Sequence, residues 1–234
     1  MPRIQPTSDR PNGSAGISTT KVTTLQVRTA SIEILIGGPY KAANGEMHNY
    51  GHAALRVVTL TEEAVFDFGR YGATKGLFGA EGEGVLRVWD KFDTYIVGEN
   101  ALSRTTTGFT YLITETKALE VLKHFAKLTA GGKPRAAKHP HQKEFQLAND
   151  YDAVTNNCAT TTIIGAKLAI PDIDIDSKPY NQGRGMTEVE KTAARAHNFG
   201  WPAQIFMPAD VQTMLENNKK VPAKKITIYK TGSR

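Results

Sequence analysis

The sequence predicts an α+β fold. Three observations carry that prediction. Short runs rich in β-branched and aromatic residues cluster between residues 31 and 115. Helical periodicity takes over from residue 116 onward. No internal repeat links the two regions, so strands and helices are segregated rather than alternating.

In chain order, residues 1–24 are rich in Pro, Ser, Thr and Gly and read as a flexible arm. SIEILIGG gives a first strand over 31–37. HAALRVVTL (52–60) and EAVFDFG (63–69) follow, and their short polar join predicts an antiparallel hairpin. RYGATKGLFGAEGEG (70–84) carries five glycines and reads as a loop. VLRVWDKF (85–92) and GFTYLITE (108–115) are two further strands. TKALEVLKHFAKLTA (116–130) then places Leu119, Leu122, Phe125 and Leu128 at spacings of three, beside Ala118 and Val121, which is an amphipathic helix. The Pro/Gly-punctuated stretch 131–144 predicts a polar loop. A helix begins at Cys158 and stops before Pro171; a loop spans 173–185, helices are expected over 186–200 and 208–218, and a last strand over 224–230. The predicted organisation is one domain over 25–216, with a core over 31–170 and a helical cap over 171–216. A basic segment over 217–234 follows.

Composition narrows the function. At 234 residues the chain can bury a real core. No apolar run approaches the roughly 18 residues of a membrane span, so no transmembrane segment is expected. The N-terminus lacks the basic-then-apolar pattern of a secretory signal, which predicts synthesis in the cytoplasm and any export by a non-Sec route. A single cysteine excludes an intrachain disulfide and any multi-thiolate zinc site. The net charge of +6 resides in residues 217–234, which hold six basic groups and no acid. Aromatics are not interleaved with those lysines, so a solvated basic tail is expected rather than a nucleic-acid surface; an anionic envelope surface is the other reading.

The chemistry centres on Cys158. A nucleophilic thiol must be thiolate near neutral pH, against a free value of roughly 8.5. A helix N-terminus supplies partial positive charge and unpaired N–H groups. In NNCATT, Asn157 or Asn156 is a good N-cap and puts Cys158 in the first turn, where the same N–H groups can hold an oxyanion. Ala159, Ile163, Ala166 and Ile170 give that helix a buried stripe. A buried structural cysteine is the competing reading.

A partner base separates the two. His124 sits on a helix surface, His139 and His141 lie in a polar loop without further ligands, and His197 stands at a helix end where capping is expected. His48 and His52 are spaced like metalloprotease ligands, but Asn49 stands where that pattern needs Glu. No metal or cofactor is expected. His52 opens a strand, and alternation puts His52, Ala54 and Arg56 on one face. Pairing His52 with Asp67 also pairs Arg56 with Glu63, and a register shift of two keeps Asp67 on the His52 face. Asp67 is then a candidate orienter of the imidazole.

NYGHAALRV, VFDFGRYG, a strand FTYLIT leading into a helix, and YDAVTNNCATT resemble the circularly permuted papain-like (NlpC-type) cysteine hydrolases. The likeness is strongest to the bacterial periplasmic family that includes the N-terminal domain of the lipoprotein intramolecular transacylase. It covers about residues 48–170. The resemblance implies an antiparallel sheet packed on the cysteine helix, Cys158 as nucleophile, His52 as general base and Asp67 as third member. It also implies an oxyanion and substrate region around Asn157, Asn156 and Tyr50. By the same resemblance the substrate is a peptide or peptidoglycan amide and the partners are an immunity or secretion-system protein, as for an antibacterial effector. Acyl transfer to an amine or lipid, and a non-enzymatic binding module, are the alternatives. The segments 72–84 and 172–200 are expected to wall the substrate pocket, and both are polar.

Overall fold

The computed structural model describes residues 29–230, apart from 43, 44, 46 and 77–79. The arm expected over 1–24 lies outside the described residues. Eight strands form one sheet with every pair antiparallel. They are β1 (Ser31–Gly37), β4 (His52–Val58), β5 (Glu63–Gly69), β8 (Val85–Trp89), β9 (Thr106–Leu112), β10 (Lys133–Arg135), β11 (Gln142–Gln146) and β13 (Lys225–Tyr229). Across the sheet the order is β10-β11-β8-β5-β4-β1-β9-β13. Two-residue strands make small ribbons beside it: β2 (Tyr40–Lys41) with β3 (Met47–His48), and β6 (Thr74–Lys75) and β12 (Tyr151–Asp152) flanking β7 (Glu81–Gly82). Five α-helices are present among the described residues: α1 (Phe92–Ala101), α2 (Glu115–Ala130), α3 (Cys158–Ala169), α4 (Glu188–His197) and α5 (Pro208–Asn217). None is long and apolar enough to cross a membrane.

Alternation along the strands splits the apolar residues between two layers. Ile32, Ile34, Ile36, Leu55, Val57 and Phe68 face α2, α3 and α5 in the main core. Leu35, Ala54 and Val65 face the other way, onto Phe92, Tyr95 and Ile96 of α1. Phe66 stacks on Phe125 of α2 with centroids 4.0 Å apart, and Ala159, Ile163 and Ala166 of α3 are fully buried beside them. Each such side chain contributes about 1.5–3 kcal/mol on burial. On α2 the buried stripe is Ala118, Val121 and Phe125, while Leu119 is half exposed. Leu122 and Leu128 pack at the margin.

The structure departs from the sequence reading at five places, the first being the loop expected over 70–84, which contains the two-residue strands β6 and β7. The strand expected over 85–92 ends at Trp89, and Phe92 starts α1. That helix buries Phe92, Tyr95, Ile96 and Glu99, a helical spacing obscured by Thr94, Val97 and Gly98, which are weak helix formers. The polar loop expected over 131–144 contains β10 and the start of β11. Pro134 is tolerated because β10 is an edge strand, and Glu144 is buried against Arg87 at 2.9 Å, so charge pairing replaces apolar alternation. The cap expected over 171–216 is divided. Ile205, Phe206, Val211, Met214 and Leu215 lie in the core, whereas α4 buries only Ala194. The basic segment 217–234 is not a separate tail, because β13 completes one edge of the sheet on β9.

Candidate active site

His52 is placed by the turn before it. Gly51 has φ +71°, and a Cβ there would lie 2.6 Å from the Gly37 carbonyl, so only glycine fits without displacement. β4 and β5 pair as Leu55↔Phe66, Arg56↔Val65 and Val58↔Glu63. This is the register shifted by two from a direct His52–Asp67 pairing, and it keeps both on one face. Arg56 still reaches Glu63 at 2.6 Å, diagonally. Asp67 Oδ1 lies 2.6 Å from His52 Nε2.

Tyr71 completes this cluster. Its hydroxyl donates to Asp67 Oδ1 at 2.7 Å and stands 3.4 Å from His52 Nε2. The Arg87 guanidinium lies 3.4 Å over the Tyr71 ring. Sequence reasoning did not single out Tyr71; it follows Asp67 by four residues in a glycine-rich loop that carries no strand or helix period.

Cys158 is the first residue of α3. Asn157 caps the helix, with Oδ1 accepting from Thr160 N at 3.0 Å and its own N–H donating to Thr160 Oγ1 at 2.8 Å. Cys158 is 6% exposed, His52 8% and Asp67 3%, so the three share a shielded environment in which electrostatics act strongly. Cys158 lies near enough to the His52 ring to act on its charge. Asp67 occupies Nε2 of the ring.

The charges of the cluster are consistent with that arrangement. Burial pulls the His52 pKa down, but the Asp67 carboxylate, with a further contribution from Cys158, outweighs it and raises the value from 6.5 to about 10. Burial likewise opposes the charged form of Asp67, yet His52, Arg87 and the Tyr71 hydroxyl hold its pKa below the ordinary 3.8. Tyr71 is held neutral, first by burial and then by the adjacent Asp67. The raised His52 value and the lowered Asp67 value are the signature of a buried ion pair between the two.

The residues expected around the oxyanion are placed differently. The Asn157 side chain is fully engaged: besides the cap, Nδ2 donates to the Ala153 carbonyl at 2.6 Å and the Phe206 carbonyl at 3.1 Å. It fixes the helix start and has no free donor for a substrate. Asn156 also closes a turn, donating from Nδ2 to the Asp150 carbonyl at 2.6 Å and bridging to Asp152. Tyr50 donates its hydroxyl to Glu190 of α4, and burial, then Glu190, raises its pKa to about 12. Tyr50 stands on the rim and ties α4 to the turn before His52. In the first turn of α3 the Thr160 N–H is taken by the Asn157 side chain and the Thr161 N–H by the Asn157 carbonyl, which leaves the Cys158 and Ala159 N–H groups without an intrahelical acceptor.

The outlying histidines have ordinary partners. His141 Nδ1 meets Asp90 at 2.9 Å. His197, expected as a cap, instead pairs Nε2 with Asp152 Oδ2 at 2.8 Å and ties the end of α4 to the segment leading into Cys158. Among the described residues, Glu81, Asp152 and His197 place three possible metal-ligand atoms within 4.8 Å of one another. A groove of about 620 Å³, lined by Tyr111, Ile170 and Val221 among others, opens at the C-terminal end of α3. That is a helix length of about 18 Å from Cys158, too far to hold a substrate at the sulfur.

No family model, curated protein or solved structure matches this chain, so the functional reading rests on this geometry.

Proposed function

We propose that this protein is a cysteine-dependent amide hydrolase of the circularly permuted papain-like type, with Cys158 as nucleophile, His52 as general acid–base and Asp67 as its orienter. The observation that carries the reading is the Asp67 carboxylate 2.6 Å from His52 Nε2, with Cys158 at the start of α3 near enough to act on the charge of the same ring. In the proposed reaction the thiolate attacks the amide carbonyl. The tetrahedral oxyanion is held by first-turn N–H groups of α3. His52 delivers its proton to the leaving amine, and the C–N bond breaks. The neutral imidazole then takes a proton from water, which attacks the thioester and frees the acid.

Asp67 supports the acid–base role by keeping the ring oriented and charged until the amine departs. Hydrolysis is favoured over acyl transfer to lipid because the apolar groove lies at the opposite end of α3 from the sulfur. Peptidoglycan peptide as substrate, and action as a secreted antibacterial effector with an immunity partner, follow from the sequence resemblance.

The test is incubation of the full chain with purified peptidoglycan and its isolated stem peptides, read by mass spectrometry. The expected result is a product carrying one added water and a new free amine, absent with Cys158→Ala. Added acyl acceptors compete if transfer is the true reaction. Full biological activity in Cys158→Ala would refute any enzymatic reading.

A further inference from the structure

The arginines near the sheet are almost all committed. Arg56, Arg87, Arg104, Arg135 and Arg184 each hold a carboxylate, and Arg195 stacks 5.0 Å over Trp201. Arg70 is different. It is exposed, and among the described residues it has no carboxylate partner. Yet its position is built. It follows Asp67 by three residues, just past the end of β5. Its stem lies across Gly82, where a Cβ would fall 2.9 Å from Arg70 Cγ and 3.1 Å from Cδ. Gly82 is the register partner of Tyr151 in the β7–β12 pair. A Cβ on Gly82 would meet the Ala73 carbonyl first, at 2.4 Å, and then the arginine stem, so the glycine lets both approach beside Tyr151; the guanidinium stands 6.0 Å from the centre of the Tyr151 ring.

Both neighbours of that guanidinium belong to the site. Tyr151 opens the segment leading into Cys158 and packs against Phe68 with ring centroids 5.8 Å apart. Tyr50 immediately precedes the Gly51–His52 turn, and the Arg70 charge acts on it as well. Beyond that distant ring contact the guanidinium holds no carboxylate among the described residues, and Arg70 directly precedes Tyr71, whose hydroxyl stands 3.4 Å from His52 Nε2. A planar guanidinium of this kind is suited to bidentate capture of a carboxylate.

We propose that Arg70 anchors the substrate of the Cys158 site, and that the substrate carries a carboxylate close to the scissile carbonyl, as an acidic peptide does. The inference rests on Cys158 being the nucleophile. Anchoring one end of the substrate on Arg70 limits the orientations in which its carbonyl meets the sulfur.

The test uses the full chain and two small reagents of similar size, anionic iodoacetate and neutral iodoacetamide. The readout is the ratio of their second-order rate constants at Cys158. Arg70→Gln should lower the iodoacetate-to-iodoacetamide ratio about fivefold, the size of one partly exposed charge contact. Arg70→Lys should retain part of the preference, and 1 M salt should erase most of it in the wild type. A variant that is merely misfolded exposes the buried thiol and raises the iodoacetamide rate, whereas loss of the Arg70 charge lowers the iodoacetate rate and leaves iodoacetamide unchanged. An unmoved ratio in Arg70→Gln, with Cys158 reactive toward both reagents, overturns the Arg70 assignment alone. Failure of either reagent to modify wild-type Cys158 overturns the hydrolase reading and this inference with it.

Discussion

Asp67→Asn removes one charge from the site with almost no change in volume. Asp67 Oδ1 lies 2.6 Å from His52 Nε2, both are shielded from water, and the two charge centres are about 4 Å apart. At an effective dielectric constant of about 20, a pair at that distance is worth about 4 kcal/mol, or about 3 pKa units. The rise of His52 from 6.5 to about 10 is of that size. Without the carboxylate, the His52 titration should fall by about 2–3 units. Stability should follow with a defined pH window. His52 has a raised folded pKa, so its contribution is full below 6.5 and is lost as pH climbs toward about 10. Asp67 has a lowered folded pKa, so its contribution is present above 3.8 and is lost as pH falls further. The destabilisation caused by Asp67→Asn should therefore be greatest between about pH 4 and 6.5, at about 3–5 kcal/mol, and shrink on both sides. Ring-nitrogen NMR of His52 across pH, with urea unfolding at pH 5, 7 and 9, measures both quantities. A His52 titration that does not move, or a stability loss independent of pH, would refute the ion-pair argument.

Three further substitutions probe the scaffold of the site. Asn157→Ala removes the cap of α3 and two donors to buried carbonyls, and should cost about 2–4 kcal/mol in urea unfolding; a loss under 0.5 kcal/mol would show that the cap geometry is wrong. Gly51→Ala must adopt φ +71° and press on the Gly37 carbonyl, so the melting temperature should fall and the alkylation rate of Cys158 should change with it. Tyr71→Phe deletes a donor to Asp67 while keeping the ring under Arg87. The Asp67 pKa should rise toward 3.8, and acid unfolding should begin at a higher pH than in the wild type. An unchanged acid midpoint would count against that hydrogen bond.

Local rules made much of the site legible. The period of two in HAALRVV and EAVFDFG put Asp67 on the face of His52 under either register, so the pair did not depend on exact pairing. The polar pair before Cys158 and the Pro after Ile170 bounded α3, which runs over Cys158–Ala169. Asn157 was identified as a cap by its residue type, but the partners of its amide were not. Those partners are the Ala153 and Phe206 carbonyls, and Phe206 arrives from a distant part of the chain.

What the sequence determined by itself is therefore what short-range periodicity and capping can encode: the order of the main strands, the helix start at the cysteine and the shared face of His52 and Asp67. The tertiary structure alone decided that β13 closes the sheet edge, that Tyr71 joins Asp67, that Tyr50 ties to Glu190, and that Cys158 comes near enough to His52 to act on its charge. Each of these joins segments with no periodic relation along the chain, and burial in a common core, not local backbone preference, brings them together.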